Sequence, residues 1–110
     1  MKLINETKDK VITKSIRKLK TLKEKSIGLI GAIKPESVYF KTRLGIHTSG
    51  MKFSIDVVVA DKNLVVKKIK KVLEPGNFFV WNILYNNIFE LPKGLVDKSN
   101  TEVGDKLKLI

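Results

Sequence analysis

Short apolar runs follow one another along the chain, most of them closed by glycine, proline or asparagine and aspartate. That is the pattern of successive strands and turns rather than of long helices. The strongest run is Met51–Ala60, which reads as a strand through its β-branched residues. Alternation puts Phe53, Ile55, Val57 and Val59 on one face and Ser54, Asp56, Val58 and Ala60 on the other. The first face is core. The second is half apolar, so partial cover is expected, and a covered Asp56 needs hydrogen-bonding partners. In Leu64–Leu73, Val65, Val66, Ile69, Val72 and Leu73 recur at helical spacing against Lys67, Lys68, Lys70 and Lys71. Its short length, its β-branched residues and the tight Asp61-Lys62-Asn63 link to the preceding strand favour the second strand of a hairpin.

The remaining elements follow from turn and cap signals. Lys2–Ile4 and Val11–Arg17 flank polar Asn5–Lys10 and suit a hairpin with a loose turn. Thr21-Leu22-Lys23-Glu24 fits a capping box and predicts a short helix over Leu22–Ile30, closed by Gly28 and Gly31. Ser37–Lys41 reads as a strand. Glu74-Pro75-Gly76-Asn77 has proline and glycine where a type II turn places them. Strands are expected near Phe78–Trp81, Asn87–Leu91 and Lys106–Leu109, interrupted by Pro92-Lys93-Gly94 and Val103-Gly104-Asp105. The fold class expected is mainly β, a compact antiparallel β barrel or sandwich with one short α-helix, and residues 1–110 form one domain without repeats or linkers.

Composition narrows the chemistry. There are no cysteines, which excludes disulfides, thiolate nucleophiles and cysteine-held metal. The start lacks the apolar stretch of a signal peptide, and no run reaches the length of a transmembrane segment, so a cytoplasmic location is expected. The net charge is +11, concentrated in residues 1–55 with 13 basic and 4 acidic side chains, against 9 and 7 in residues 56–110. Such a field attracts polyanions. Yet 20 of the 22 basic residues are lysine, the ordinary solvated-surface residue, and only Arg17 and Arg43 can grip phosphates or base edges bidentately.

His47 is the sole histidine, which excludes a multi-histidine metal site, and no metal or cofactor is expected. No phosphate loop, dinucleotide fingerprint, calcium loop or nucleophile elbow is present. Gly45 and Gly50 bracket Ile46-His47-Thr48-Ser49, a segment bent enough for polar groups to converge beside the apolar strand that follows. Phe78-Phe79-Val80-Trp81 is expected to place an aromatic pair on each face of a strand, one in the core and the other partly covered by a neighbouring segment, with a stacking platform for bases as the alternative.

With these pieces assembled, GLIGA at 28–32, GIHTSGMKFSIDVVVAD at 45–61, LEPG at 73–76, FELPKG at 89–94 and VGDKLKL at 103–109 together resemble the family catalogued as domain of unknown function 192, over nearly the whole chain. The central block is the specific part. His47, Thr48, Gly50, Met51, Ile55 and Asp56 match it, and Leu91, Pro92, Gly94, Gly104 and Asp105 match the terminal block. The resemblance implies a mainly β barrel or sandwich with a short helix, supports the strand reading of Leu64–Leu73, and implies no established activity. The chain departs from the family pattern at Ala32, where a basic residue is usual, and at Ser54, where proline is frequent.

The leading expectation is therefore a small non-enzymatic binding or structural module, with a small-molecule ligand in a pocket lined by His47, Thr48, Met51 and Asp56. One alternative is binding of nucleic acid or another polyanion through Lys67, Lys68, Lys70 and Lys71, with Lys14, Lys18 and Lys20. On a strand, Lys68 and Lys70 would share one face and Lys67 and Lys71 the other. The other alternative is a small hydrolase using His47 with Asp56, which requires the two within hydrogen-bond reach or one water apart.

Overall fold

The structure, a computed structural model, describes residues 1–20, 29–43 and 45–110. Its strands are β1 (Leu3–Asn5), β2 (Lys10–Thr13), β3 (Ile16–Lys18), β4 (Ser37–Lys41), β5 (Gly45–His47), β6 (Ile55–Ala60), β7 (Val66–Leu73), β8 (Phe78–Val80), β9 (Asn87–Pro92) and β10 (Leu107–Leu109). A single-turn helix, α1 (Leu95–Lys98), lies between the last two. The central sheet runs β3-β4-β9-β6-β7; a second sheet runs β10-β1-β2, and β5 pairs with β8 as a ribbon. The fold is mainly β with one short helix among the described residues, and its sheets stack without closing into a barrel.

Position in the central sheet explains which faces are buried. β6 lies between β7 and β9, and all six of its residues are buried. On one face Val38, Phe40, Val57, Val59 and Ile88 pack with Met51, Phe79 and Trp81, beneath the β5–β8 ribbon. On the other, Tyr39, Val58, Ala60, Phe89 and Leu91 pack with Leu3, Ile12, Leu107 and Val96 of the second sheet and α1. Tyr39 and Phe89, partners across β4 and β9, stack at 4.9 Å. Each fully buried valine of β6 contributes about 2 kcal/mol relative to an exposed one, which makes this strand the anchor of both cores.

The expected strand over Leu64–Leu73 forms over Val66–Leu73: β7 pairs antiparallel with β6, with irregularities between Ile55 and Val57 and between Val59 and Ala60. The first hairpin forms as expected between β1 and β2. The Val11–Arg17 segment breaks at Lys14-Ser15, however, and β3 crosses to pair parallel with β4, so the fold is not wholly antiparallel. The helix expected over Leu22–Ile30 lies, except for its last two residues, outside the described residues. Leu29 sits in a turn where its carbonyl accepts from Ala32 N at 3.1 Å.

α1 was not expected, because nothing beside it supplies a capping side chain. Gly94 occupies its N-cap with φ 94° and has none to offer. The cap comes from the central sheet instead: Asp56 Oδ2 accepts from Gly94 N at 3.0 Å and from Val96 N at 3.1 Å. No helix among the described residues is long and apolar enough to cross a membrane.

A buried polar cluster ties the chain ends together. Asn5 Nδ2 donates to Asp105 Oδ2 at 2.9 Å and to Thr101 Oγ1 at 3.1 Å, and Asn5 Oδ1 accepts from Lys8 N at 3.0 Å. Burial alone would raise the Asp105 carboxyl, but hydrogen bonds from Asn5, Glu102 N and Lys8 outweigh it and hold the pKa below the usual carboxylate range. Asn5→Ala is expected to cost about 3 kcal/mol, because several buried groups lose a partner at once. Urea denaturation measures it, and a loss below about 1 kcal/mol, the value of one ordinary hydrogen bond, would show that the cluster does not hold the termini.

Candidate functional site

The central block folds by attaching itself to the turn that precedes β8. Gly45 pairs with Val80, Ile46 with Phe79 and His47 with Phe78. A Cβ at Gly45 would stand 2.7 Å from Phe79 O and 2.9 Å from Val80 Cγ1, so the close approach of the two strands requires glycine. Thr48 is fully buried. Its N–H donates to Asn77 O at 2.9 Å, its carbonyl accepts from Gly76 N and Met51 N at 3.1 Å, and its hydroxyl donates to Glu74 O at 2.6 Å. The same hydroxyl accepts from Asn77 N at 2.9 Å. Thr48 therefore fastens the 74–77 turn, and Met51 is buried in the core beneath the ribbon.

Asp56 points to the opposite face of the central sheet. Its carboxylate is buried, with Oδ1 accepting from Val72 N at 3.0 Å and Oδ2 from Gly94 N and Val96 N. The partner that alternation demanded for Asp56 is thus three backbone amides. His47 is exposed on β5, its ring 6.3 Å from that of Phe78 and inclined at 56°. No hydrogen bond joins His47 to Asp56 among the described residues. Of the four residues expected to share a pocket, Thr48 and Met51 meet in one turn, Asp56 serves α1 and β7, and His47 faces solvent.

The lysines of β7 divide between different surroundings. Register sets Lys68 against Val59 and Lys70 against Val57, on the face that carries the ribbon. Lys68 Nζ donates to Val80 O at 2.8 Å and lies 4.9 Å over the Phe79 ring. Lys67 does not share a face with Lys71 as regular alternation implies. Lys67 Nζ is 3.8 Å from Asp61 and 5.9 Å from the Tyr85 ring, whereas Lys71 Nζ is 2.6 Å from Asp97 on α1, whose hydrogen bond raises the Lys71 pKa. The bulges in β7 break the alternation. Lys18 lies 5.9 Å over the Tyr39 ring, away from β7, while Lys14 and Lys98 border a cleft of about 220 Å³ between β2 and α1.

On β8, Phe79 and Trp81 both face the core, so the open face carries Phe78 and Val80 rather than a second aromatic pair. Strand period requires this, since residues 79 and 81 fall on one side. Beyond β8 the chain turns over Asn82–Tyr85, with Tyr85 N donating to Asn82 O at 3.0 Å and Leu84 N to Asn82 Oδ1 at 2.9 Å. Phe78 is 79% exposed, Val80 62%, Ile83 56% and Leu84 75%. Apolar residues at the centre of a turn were the available signal for this surface, because such positions ordinarily take polar side chains or glycine.

Glu90 is the other residue that sequence reasoning missed. On β9 it lies opposite Val38 and Val57, only 5% exposed, and burial pushes its pKa up to about 7. Glu90 Oε1 and Trp81 Nε1 are buried without hydrogen-bond partners among the described residues.

No family model matches the chain. A UPF0127 protein of Thermococcus sibiricus is 33% identical over 114 residues, covering 96% of this chain and 72% of that protein. A UPF0127 protein of Pyrococcus furiosus is 30% identical over 113 residues, covering 96% of each. Among solved structures, a protein of unknown function from Novosphingobium aromaticivorans superposes with a TM-score of 0.81 at 15% identity, over 99% of this chain and 84% of that one. A Sinorhizobium meliloti protein named as a candidate transcription regulator gives 0.84 at 13% identity, over 97% and 89%. At those identities the two structures speak for the fold alone.

Proposed function

The chain belongs to the UPF0127 family, an uncharacterised protein family without an assigned function, and from that premise we propose that it is a small non-enzymatic binding module whose recognition surface is the open face of the β5–β8 ribbon. The observation that carries this is the run of four exposed apolar residues, Phe78, Val80, Ile83 and Leu84, within seven positions, adjoining the exposed ring of His47. Single exposed apolar residues are ordinary, but a concentration of them marks a contact surface. Leaving Phe78 in water forgoes about 2 kcal/mol of burial, a cost that partner contact recovers.

This reading keeps His47 and moves the site from the Thr48, Met51 and Asp56 interior to the ribbon beside them. It keeps Lys68 and Lys70 of the polyanion alternative, because both lie on the sheet face that carries the ribbon and Lys68 Nζ reaches Val80 O at its edge, and sets aside Lys71, which is engaged by Asp97. It does not favour a hydrolase, since both oxygens of Asp56 are occupied by amides. The finer placement in the domain of unknown function 192 family, on the motif order, and a cytoplasmic location belong to the same proposal.

Phe78→Ser is the test. The expected result is an unchanged or slightly raised melting temperature together with at least tenfold weaker binding to an anionic surface, about 1.4 kcal/mol. Fluorescence titration with anionic vesicles and with labelled single-stranded DNA reads it. If neither ligand is bound in a Phe78-dependent way, the ribbon is not the recognition surface.

A further inference from the structure

We infer that this face docks onto an anionic lipid bilayer, with the Ile83-Leu84 turn and Phe78 entering the headgroup region while Lys67, Lys68 and Lys70 meet its negative charge. The inference rests on the reading of the ribbon as the recognition surface and names its partner class.

Three observations select lipid over nucleic acid. First, three of the four exposed apolar residues, Val80, Ile83 and Leu84, are aliphatic. Single-stranded nucleic acids are held by aromatic platforms on which bases stack, and aliphatic side chains offer no π-face. They do partition into the boundary between headgroups and acyl chains. Second, Ile83 and Leu84 are the two central residues of the turn over Asn82–Tyr85, held by Tyr85 N to Asn82 O and Leu84 N to Asn82 Oδ1. That geometry projects two apolar side chains from a backbone fixed on both sides: Trp81 before the turn is buried, and Tyr85 after it packs against the core.

Third, the surrounding charge is mainly positive. From Asp61 to Tyr85 the chain carries five lysines and two acidic residues, Asp61 and Glu74; Lys71 is turned to Asp97, and Asp61 lies 3.8 Å from Lys67. Lys67 and Lys68 are tied to the 78–85 segment, through the Tyr85 ring and through Val80 O, so their charges travel with the apolar turn. Lysine suits this partner, because attraction to an anionic leaflet depends on charge near the surface and not on a bidentate fork.

Flotation of the full chain with vesicles of phosphatidylcholine alone, or containing about 30 mol% phosphatidylglycerol to mimic an anionic leaflet, tests the inference. Expected are at least tenfold tighter binding to the anionic vesicles and weakening as salt rises. The double substitution Ile83→Ser with Leu84→Ser should lose at least tenfold at an unchanged melting temperature, and Lys68→Gln with Lys70→Gln should lose most of the preference for anionic lipid. Equal vesicle binding by the parent and the Ile83/Leu84 variant would reduce the interaction to charge alone and overturn insertion. Phe78-dependent binding of single-stranded DNA without vesicle binding would overturn the lipid inference and leave the recognition surface standing. Absence of any Phe78-dependent binding would remove both.

Discussion

Asp56→Ala is expected to destabilise the fold by about 4 kcal/mol, since a buried donor left without its acceptor costs roughly 1–3 kcal/mol and three depend on this carboxylate. The three amides lie on two elements, Val72 near the end of β7 and Gly94 and Val96 at the start of α1, which the exposed Lys71–Asp97 pair also joins. Val72 has φ 54°, a left-handed conformation that a β-branched residue adopts only when its surroundings impose it. The bond from its N–H to Asp56 Oδ1 is part of that imposition. At α1, Gly94 offers no side chain, so the loss of Oδ2 also removes the N-terminal cap, which by itself is worth about 1 kcal/mol. Fraying of the single helical turn would admit water to Gly94 and Val96 and keep the total below the sum of three full penalties. Asp56→Asn should be nearly as harmful, because one carboxamide position presents N–H groups where an acceptor is needed. Urea denaturation measures the loss, and amide hydrogen exchange should show Val96 losing protection before Val58. A cost under about 1 kcal/mol, that of one ordinary hydrogen bond, would show that water or a local shift replaces the carboxylate.

Asp56 also marks how far sequence reading reached. Alternation along Met51–Ala60 was enough to say that its second face is covered and that an aspartate there needs partners. The identity of those partners was not legible, because Gly94 and Val96 stand about forty positions further along the chain and reach Asp56 only through the pairing of β6 with β9. For the same reason α1 was missed: capping rules act over a few neighbouring residues, and this cap comes from another element. Local signals served well where the interaction was local, as in the turn at 74–77 and the hairpin joining β6 to β7. They failed for Lys67 and Lys71, where bulges shift residues off the regular alternation. They failed also for the pocket expected around His47, since Thr48 and Met51 turned out to serve the turn and core that position the ribbon.

Glu90 was hidden by the same limit. Ile88, Glu90 and Phe89, Leu91 read as the alternating faces of a strand, and a glutamate on one of them suggests solvent on that side. Sheet order decides otherwise, because β9 lies between β4 and β6 and is covered on both faces. The consequence is a pH dependence of opposite sign to that of Asp105. Burial raises the Glu90 pKa from 4.5 to about 7 in the folded protein. Between those two values the folded state holds a proton that the unfolded state releases, so stability falls as pH rises. From about pH 4 to pH 8 this one group is expected to remove about 3 kcal/mol. Its immediate register partners, Val38 and Val57, are apolar and supply no compensating charge. Glu90→Gln cannot ionise, so the difference in stability between the variant and the parent should swing by about 3 kcal/mol in favour of the variant over that range. Any constant cost of the extra carboxamide N–H groups appears at both ends and cancels from the swing. Chemical denaturation of both proteins at several pH values measures it, and parallel curves from pH 4 to pH 8 would show that the carboxyl titrates alike in the folded and unfolded chain. The same apolar face packs Phe79 and Trp81, which anchor the ribbon, so ionisation of Glu90 is expected to loosen the support of the ribbon before the opposite core is affected. Above neutral pH, amide exchange in Phe79 and Trp81 should therefore accelerate more than in Phe89, and in Glu90→Gln that difference should disappear.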